Sequence, residues 1–278
     1  MSIDKYIEDL RNDISEANEN LEIGNKTILD LAGNEEEINK LIDNLSDENQ
    51  SAEEKNHALH KLNAISIFSD VLPTKMPEYI NALRGLLDAE NPDIRLQAFS
   101  TLSAMKDEYA QEKLTEILNS DTKEEDKSIP THNAIAMLGF DEKAVDHKVL
   151  KKIVKDPPNH ESLVQAIRHL EADEETFEIL KDIMEDESKP IEARSMVPEI
   201  INTLNPSGFL NSVQKMLDEQ GGDTDMVPFL ARGIAGLEEL ESEGELEETK
   251  DKMRNIIDKA SLDTHRMTKD ILFDKDDK

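Results

Sequence analysis

Seven histidines and a large population of carboxylates are the groups with which this chain could do chemistry. His57 and His60 stand three apart, so a helix through them would carry both imidazoles on one edge, a spacing able to grip a metal ion. No His-Glu-x-x-His or comparable ligand pattern surrounds them, and Glu53 and Glu54 are merely upstream, so a solvated or packed helix face is the favoured reading. A second pair, His160-Glu161, sets a base beside an acid but occurs once. Serine chemistry would need a Gly-x-Ser-x-Gly elbow after a strand, and phosphate chemistry a glycine-rich loop; the chain has neither. Its one Gly-Gly, 221–222, falls in a predicted loop. Carboxylate pairs are so numerous that a glycosidase-like separation would arise by chance. The absence of cysteine removes thiolate nucleophiles, disulfides and Cys-based metal sites. Asp223-Thr224-Asp225 is too short a fragment of a calcium loop. The expectation is a protein that is not an enzyme and carries no catalytic residue, metal or cofactor.

Charge narrows the partners. The 278 residues include 63 Asp+Glu against 32 Lys+Arg, a net charge of −31. Phosphate backbones recruit Lys and Arg, so nucleic acid is not an expected partner. The acids cluster as Glu35-Glu36-Glu37, Glu53-Glu54, Glu124-Glu125-Asp126 and seven Glu within 238–248. Three readings stand: solvation with some help from helix dipoles, which is favoured; recognition of a basic protein; and adaptation to high internal salt. Lys outnumbers Arg 24 to 8, which does not help the last. No apolar run reaches the roughly 18 residues of a membrane span. The start, MSIDKYIEDL, lacks the basic flank and apolar core of a signal peptide, which predicts a cytoplasmic protein.

The elements that would position these residues are helices throughout. Apolar residues recur at helical spacing in stretches of about 10–16 residues, and no stretch alternates as a strand does. The stretches come in pairs. Ile80, Leu83, Leu86 and Leu87 precede a polar break at 88–91, and Pro92 then opens a helix with Ala98, Phe99, Leu102 and Met105 on one stripe. Leu150, Ile153 and Val154 are answered by Leu163, Val164, Ile167 and Leu170 after Pro158. Phe177, Leu180, Ile183 and Met184 are followed by Pro190. A degenerate copy runs from Leu114, Ile117 and Leu118 to Pro130. The prolines at 92, 130, 158 and 190 lie 38, 28 and 32 residues apart, and proline in a first helical turn costs little because its missing N–H has no partner there. Ile38, Leu41, Ile42 and Leu45 form one more pair with Ala58, Leu59, Leu62, Ile65 and Ile67. Leu210, Val213, Met216 and Leu217 form another with Val227, Phe229, Leu230 and Ile234. A strand-free chain repeating as helix pairs is an α-solenoid.

The phrase LRGLLDAENPDIRLQAFSTLSAM resembles the HEAT and HEAT-like repeat family through Leu83, Leu86, Leu87, Asp88, Asn91, Pro92, Ile94, Arg95, Ala98 and Leu102. The likeness is clearest at 77–105, fair at 146–204 and weak elsewhere; His132 and His160 lie where Arg95 would fall, and Arg194 sits a residue or two late. The resemblance implies an all-α, α-α superhelix of HEAT-like or armadillo type with about six helix pairs, in which Asp88 and Arg95 help tie adjacent repeats. HEAT-like iron hydroxylases converge several His-Glu pairs on two irons, and the single pair here cannot build that cage; lyases on this scaffold share only the fold. The expected organisation is one solenoid domain, 1–278: a capping helix region at 1–33 with a helix over 2–18, repeats over 34–240, a capping pair over 241–273, and an acidic tail at 274–278. The expected function is a non-enzymatic scaffold that binds a partner protein, without nucleic acid or membrane. The alternatives are an assembly factor or chaperone for a basic subunit, and, from another class, a HEAT-like metal hydroxylase or lyase. Second helices line the concave face of such stacks. The polar residues off their stripes, Gln97, Thr101, His132, Asn133, Gln165, Arg168, His169 and Arg232, are the candidate contacts, set against the plainer reading that each is simply solvated.

Overall fold

The computed structural model describes residues 28–67, 69–219, 225–237 and 243–257. These residues form α-helices and three short 3-10 turns, with no strand among them. The predicted helix over 2–18, the Gly221-Gly222 loop, the second helix of the last pair and the tail at 274–278 lie outside the described residues. The chain divides into two compact units, residues up to Glu116 and residues from Ile117 onward.

The first unit contains α1 (Glu35–Ser46), α2 (Ala52–Ile65), α3 (Met76–Gly85), α4 (Pro92–Ala104) and most of α5 (Glu108–Asn119). α1, α2 and α4 begin where a side chain satisfies orphan N–H groups of the first turn, whereas α3 has no such cap and opens with Pro77 in its first turn. Asn34 accepts from the Glu37 N–H at 3.1 Å, Ser51 and Glu54 form a reciprocal capping box, and Asn91 accepts from both Asp93 and Ile94 ahead of α4. α1 packs on α2 and α3 on α4, while α1 also lies beside α3 and α2 beside α4. First helices therefore make one layer and second helices another, the repeat logic of a solenoid. The layers close over Ile38, Leu41, Ile42, Leu45, Leu59, Leu62, Leu83, Phe99 and Leu102, all buried. Tyr79 rather than Ile80 faces fully inward; burial pushes its phenol well above the usual range. Ile67, read as part of the α2 stripe, is 85% exposed. α2 ends at Ile65 and Ser66 caps it; even a continued helix would set Ile67 about 200° around from Ile65, on the face away from the core.

The end of α4 is a left-handed stop. Lys106 has φ 56°; its N–H reaches the Ser103 carbonyl at 2.9 Å and the Asp107 N–H the Leu102 carbonyl at 3.0 Å, the bond pair of a Schellman motif. The turn delivers Asp107, which is buried. Its carboxylate accepts from Arg84 Nε at 3.2 Å and Nη2 at 2.6 Å, and from the Ala110 N–H at 3.1 Å. One carboxylate thus joins the ends of α3 and α4 to the start of α5.

The second unit contains α6 (Thr131–Leu138), α7 (His147–Lys155), α8 (His160–Arg168), α9 (Glu174–Glu185), α10 (Ile191–Arg194), α11 (Val197–Leu204), α12 (Pro206–Glu219), α13 (Val227–Ala235) and α14 (Glu243–Ile257). α9 packs beside α7 and α12, and α12 beside α14; α8 packs beside α6 and α10, and α11 beside α13. Within this unit the helices again form two layers, with α6, α8, α10–α11 and α13 as the second. Leu150, Leu163, Ile167, Phe177, Leu180, Ile201, Val213 and Ile234 belong to one continuous buried cluster.

The prolines of the repeat do not share one position. Pro92 opens α4 from within its first turn. Pro130 and Pro190 are N-cap residues without a capping side chain, and Pro158 precedes the cap Asn159. Glu124 supplies the missing cap for α6: its Oε1 accepts from the Thr131 N–H at 2.8 Å and its Oε2 binds the Thr131 hydroxyl. The helix opened by Pro190 breaks at Ser195–Met196 into α10 and α11, because Pro198 has no N–H to continue the ladder.

Candidate interaction surface

Second-layer helices carry every candidate contact residue, and the two units use them differently. In the first unit the polar residues of α2 and α4 bond to each other. Gln97 Nε2 donates to Asn56 Oδ1 at 2.9 Å and lies 3.4 Å from His60 Nε2. Asn63 Nδ2 donates to Thr101 Oγ1 at 3.2 Å, and the Tyr79 hydroxyl donates to Asn63 Oδ1 at 3.0 Å. Gln97 and Thr101 are half-buried and engaged in holding neighbouring pairs together. His57 and His60 are exposed, and among the described residues no cluster of three or more His, Asp or Glu could hold a metal ion. Asp88 receives Lys113 Nζ at 3.2 Å, which carries it to α5. Arg95 donates to the Ala89 carbonyl at 2.6 Å, which fastens the turn within its own pair.

In the second unit the positions fall on α6, α8 and α13. His132 and Asn133 are half-buried on α6, and His132 Nδ1 is shielded from water without a bonding partner. His160 Nε2 lies 3.6 Å from Glu192 of α10. Gln165 is half-buried and Arg168 exposed on α8. His169 caps α8 and turns its ring onto Gly139, where an added Cβ would come within 2.2 Å of Cε1. Burial first, and the neighbouring Arg168 cation second, hold the His169 imidazole below its ordinary pKa. Asn202 of α11 donates to the Gly233 carbonyl of α13 at 2.9 Å, and a Cβ at Gly236 would come within 2.8 Å of its amide. His169 and Asn202 therefore serve the seams between second helices. Arg232 is exposed, its guanidinium 5.8 Å from the centre of the Phe229 ring.

First-layer charges are largely committed to one another. Lys151, buried on α7, pairs with Glu171 at 3.2 Å, with Glu175 at 3.3 Å, and with Asp173. Lys155 pairs with Glu175 at 3.0 Å. The Lys151 bond, with the Thr176 N–H second, holds the Asp173 carboxyl well below the usual range, and three carboxylates hold Lys151 above its own. Several members of the acidic runs are likewise structural: Glu35 pairs with Lys75 at 2.7 Å, Glu54 closes the capping box, and Glu124 caps α6.

Asp107, Arg84, Lys151 and Asn202 were not legible as keystones, because each meets its partner across a turn or between repeats. A signal did exist for α11 and α13: Met-Val-Pro recurs at 196–198 and 226–228, and in both places valine is the first helical residue. Val164 and Phe229, read as core, are half-buried and reach the surface.

Residues 38–129 match the family model for HEAT repeats. The match contains the 77–105 phrase and runs through α5; the stretch at 146–204 lies outside it, yet its helices also stack as pairs in two layers within their own unit. The fold is all-α, of the HEAT-like helical-repeat class. No curated protein and no solved structure gives a match. Among the described residues no helix is long and apolar enough to cross a membrane.

Proposed function

We propose that this protein is a non-enzymatic protein-binding scaffold that holds a partner polypeptide on the open face of its second helices, the concave side in solenoids of this kind. HEAT repeats as a class serve protein–protein interaction, and the match at 38–129 supports that level of assignment. One observation carries the choice of face. On α8, α11 and α13 half-buried apolar side chains stand beside exposed polar ones, the mixture typical of protein interfaces, while the α7–α9 side is occupied by the Lys151 ion-pair network. A second reading, a chaperone for a basic subunit, draws on the charge of −31 and would place its partner on the acidic surface at large.

Site-specific photo-crosslinking in native lysate tests the face. A crosslinking residue at Gln165 is expected to trap a discrete partner, identified by mass spectrometry, while the same residue at Glu178 of α9 traps none. Trapping from Glu178 alone, or equally from both, overturns the assignment.

A further inference from the structure

Large apolar side chains stand in water at few places among the described residues, and the two most exposed belong to one edge of the first unit. Ile67 is 85% exposed and Leu29 60%. Leu29 lies on the helical turn at 28–32, with which the described residues begin, and Ile67 on the loop that follows α2. Ser69 joins the two. Its hydroxyl donates to the Ala32 carbonyl at 2.5 Å and accepts from the N–H groups of Val71 at 3.2 Å and Leu72 at 3.0 Å, while its own N–H reaches back to the Ile65 carbonyl at 2.9 Å. The backbone is thus pinned on both sides of Ile67, so slack does not account for its exposure. Ile28, Leu31 and Val71 are half-buried beside it. A single exposed apolar residue is ordinary, whereas a group of them on one edge marks a surface that something covers.

We infer that residues 2–18 of the same chain cover this patch as an amphipathic helix. The sequence leading into the patch names the occupant. Residues 1–27 run directly into the turn at 28–32, and among them Ile3, Tyr6, Ile7, Leu10 and Ile14 recur at i, i+3, i+4, i+7 and i+11, one apolar stripe of a helix. Nine residues, 19–27, separate this stripe from the turn. They include Gly24-Asn25, a chain-reversal signal, and reach up to about 30 Å when extended, enough for 2–18 to fold back over Leu29 and Ile67. So short a tether presents the segment at an effective concentration that no separate molecule matches. Charge does not draw it there: 2–18 carries five carboxylates against Lys5 and Arg11, and exposed Asp30 and Asp70 border the patch. Apolar burial therefore has to carry the contact. The docked helix turns its carboxylates outward and gives this edge the polar outer face that a terminal cap requires.

Hydrogen exchange read by mass spectrometry on the full-length protein tests the contact. Amides within 2–18 are expected to exchange at least about tenfold more slowly than their intrinsic rate. L29D/I67D should return them to that rate while α2 and α3 keep their protection, which verifies that the variant folds. The absence of cysteine permits a second measurement. Paired with I67C, at least one of I3C, I7C and L10C is expected to close an intramolecular disulfide under mild oxidation, whereas N12C, on the opposite side of the helix, stays reduced. The inference is overturned if 2–18 exchanges at its intrinsic rate in the wild-type protein, if its protection survives L29D/I67D, or if N12C closes as readily as the stripe positions. Protection that falls on dilution, or disulfides that join two chains, would assign the patch to a second copy and overturn it equally.

Discussion

A lysine at φ 56° is a residue kept in a conformation that suits glycine. The left-handed region costs an L-residue roughly 1 kcal/mol, and the Schellman stop after α4 requires it. Lys106→Gly is therefore expected to stabilise the protein by about 1 kcal/mol, seen in urea denaturation as a higher midpoint with an unchanged slope; a lower midpoint would mean that the lysine side chain supplies more than the strain removes. At this scale the sequence was only partly readable. The caps at Asn34, Ser51 and Asn91 bond within three residues, a local signal that apolar periodicity passes over. Asp107 announces nothing, because its worth depends on the Lys106 turn bringing it to Arg84, 23 residues upstream. Gln97 and Thr101 look like spare polar groups in the sequence and are bonded to α2, since the register between neighbouring second helices is not written within either helix.

At the scale of elements, apolar periodicity located the helices and their inward faces, and what it missed came from backbone chemistry at the ends. Ile67 stands two residues after Ile65, which breaks the helical period of α2 and leaves it outside. Pro198 splits what reads as one helix into α10 and α11. Seams between second helices also rely on close approach, most tightly where His169 covers Gly139. Gly139→Ala should overpack that seam and destabilise by about 1–3 kcal/mol, with Gly139→Ala/His169→Ala recovering most of the loss. A double-mutant cycle on thermal or urea unfolding measures the coupling; additive effects would show that ring and glycine do not constrain each other. The candidate face on α8, α11 and α13 was half legible: Arg168 and Arg232 stand out by charge, whereas Val164 and Phe229 obey the core period and only the stacked structure shows their outer edges at the surface.

For the molecule as a whole, a net charge of −31 sets repulsion among unpaired carboxylates against ion pairs such as Lys155–Glu175 and Lys252–Asp218. With so few bases the repulsion outweighs the pairs. Raising ionic strength from about 10 mM to about 150 mM contracts the Debye length from about 30 Å to about 8 Å, and the melting temperature should rise across that range. A fall would show that the pairs dominate. The ties between repeats have a further property. Gln97 reaches back 41 residues to Asn56, Asn63 forward 38 to Thr101, Lys252 back 34 to Asp218, and Lys151 forward 20 to Glu171. Each joins a pair to its immediate neighbour, and contacts of such short range make for fast folding. Translation delivers the chain in the same order, at about 5–20 residues per second. A helix pair leaving the ribosome thus finds its predecessor already waiting, and each can dock in turn before the remainder has been made.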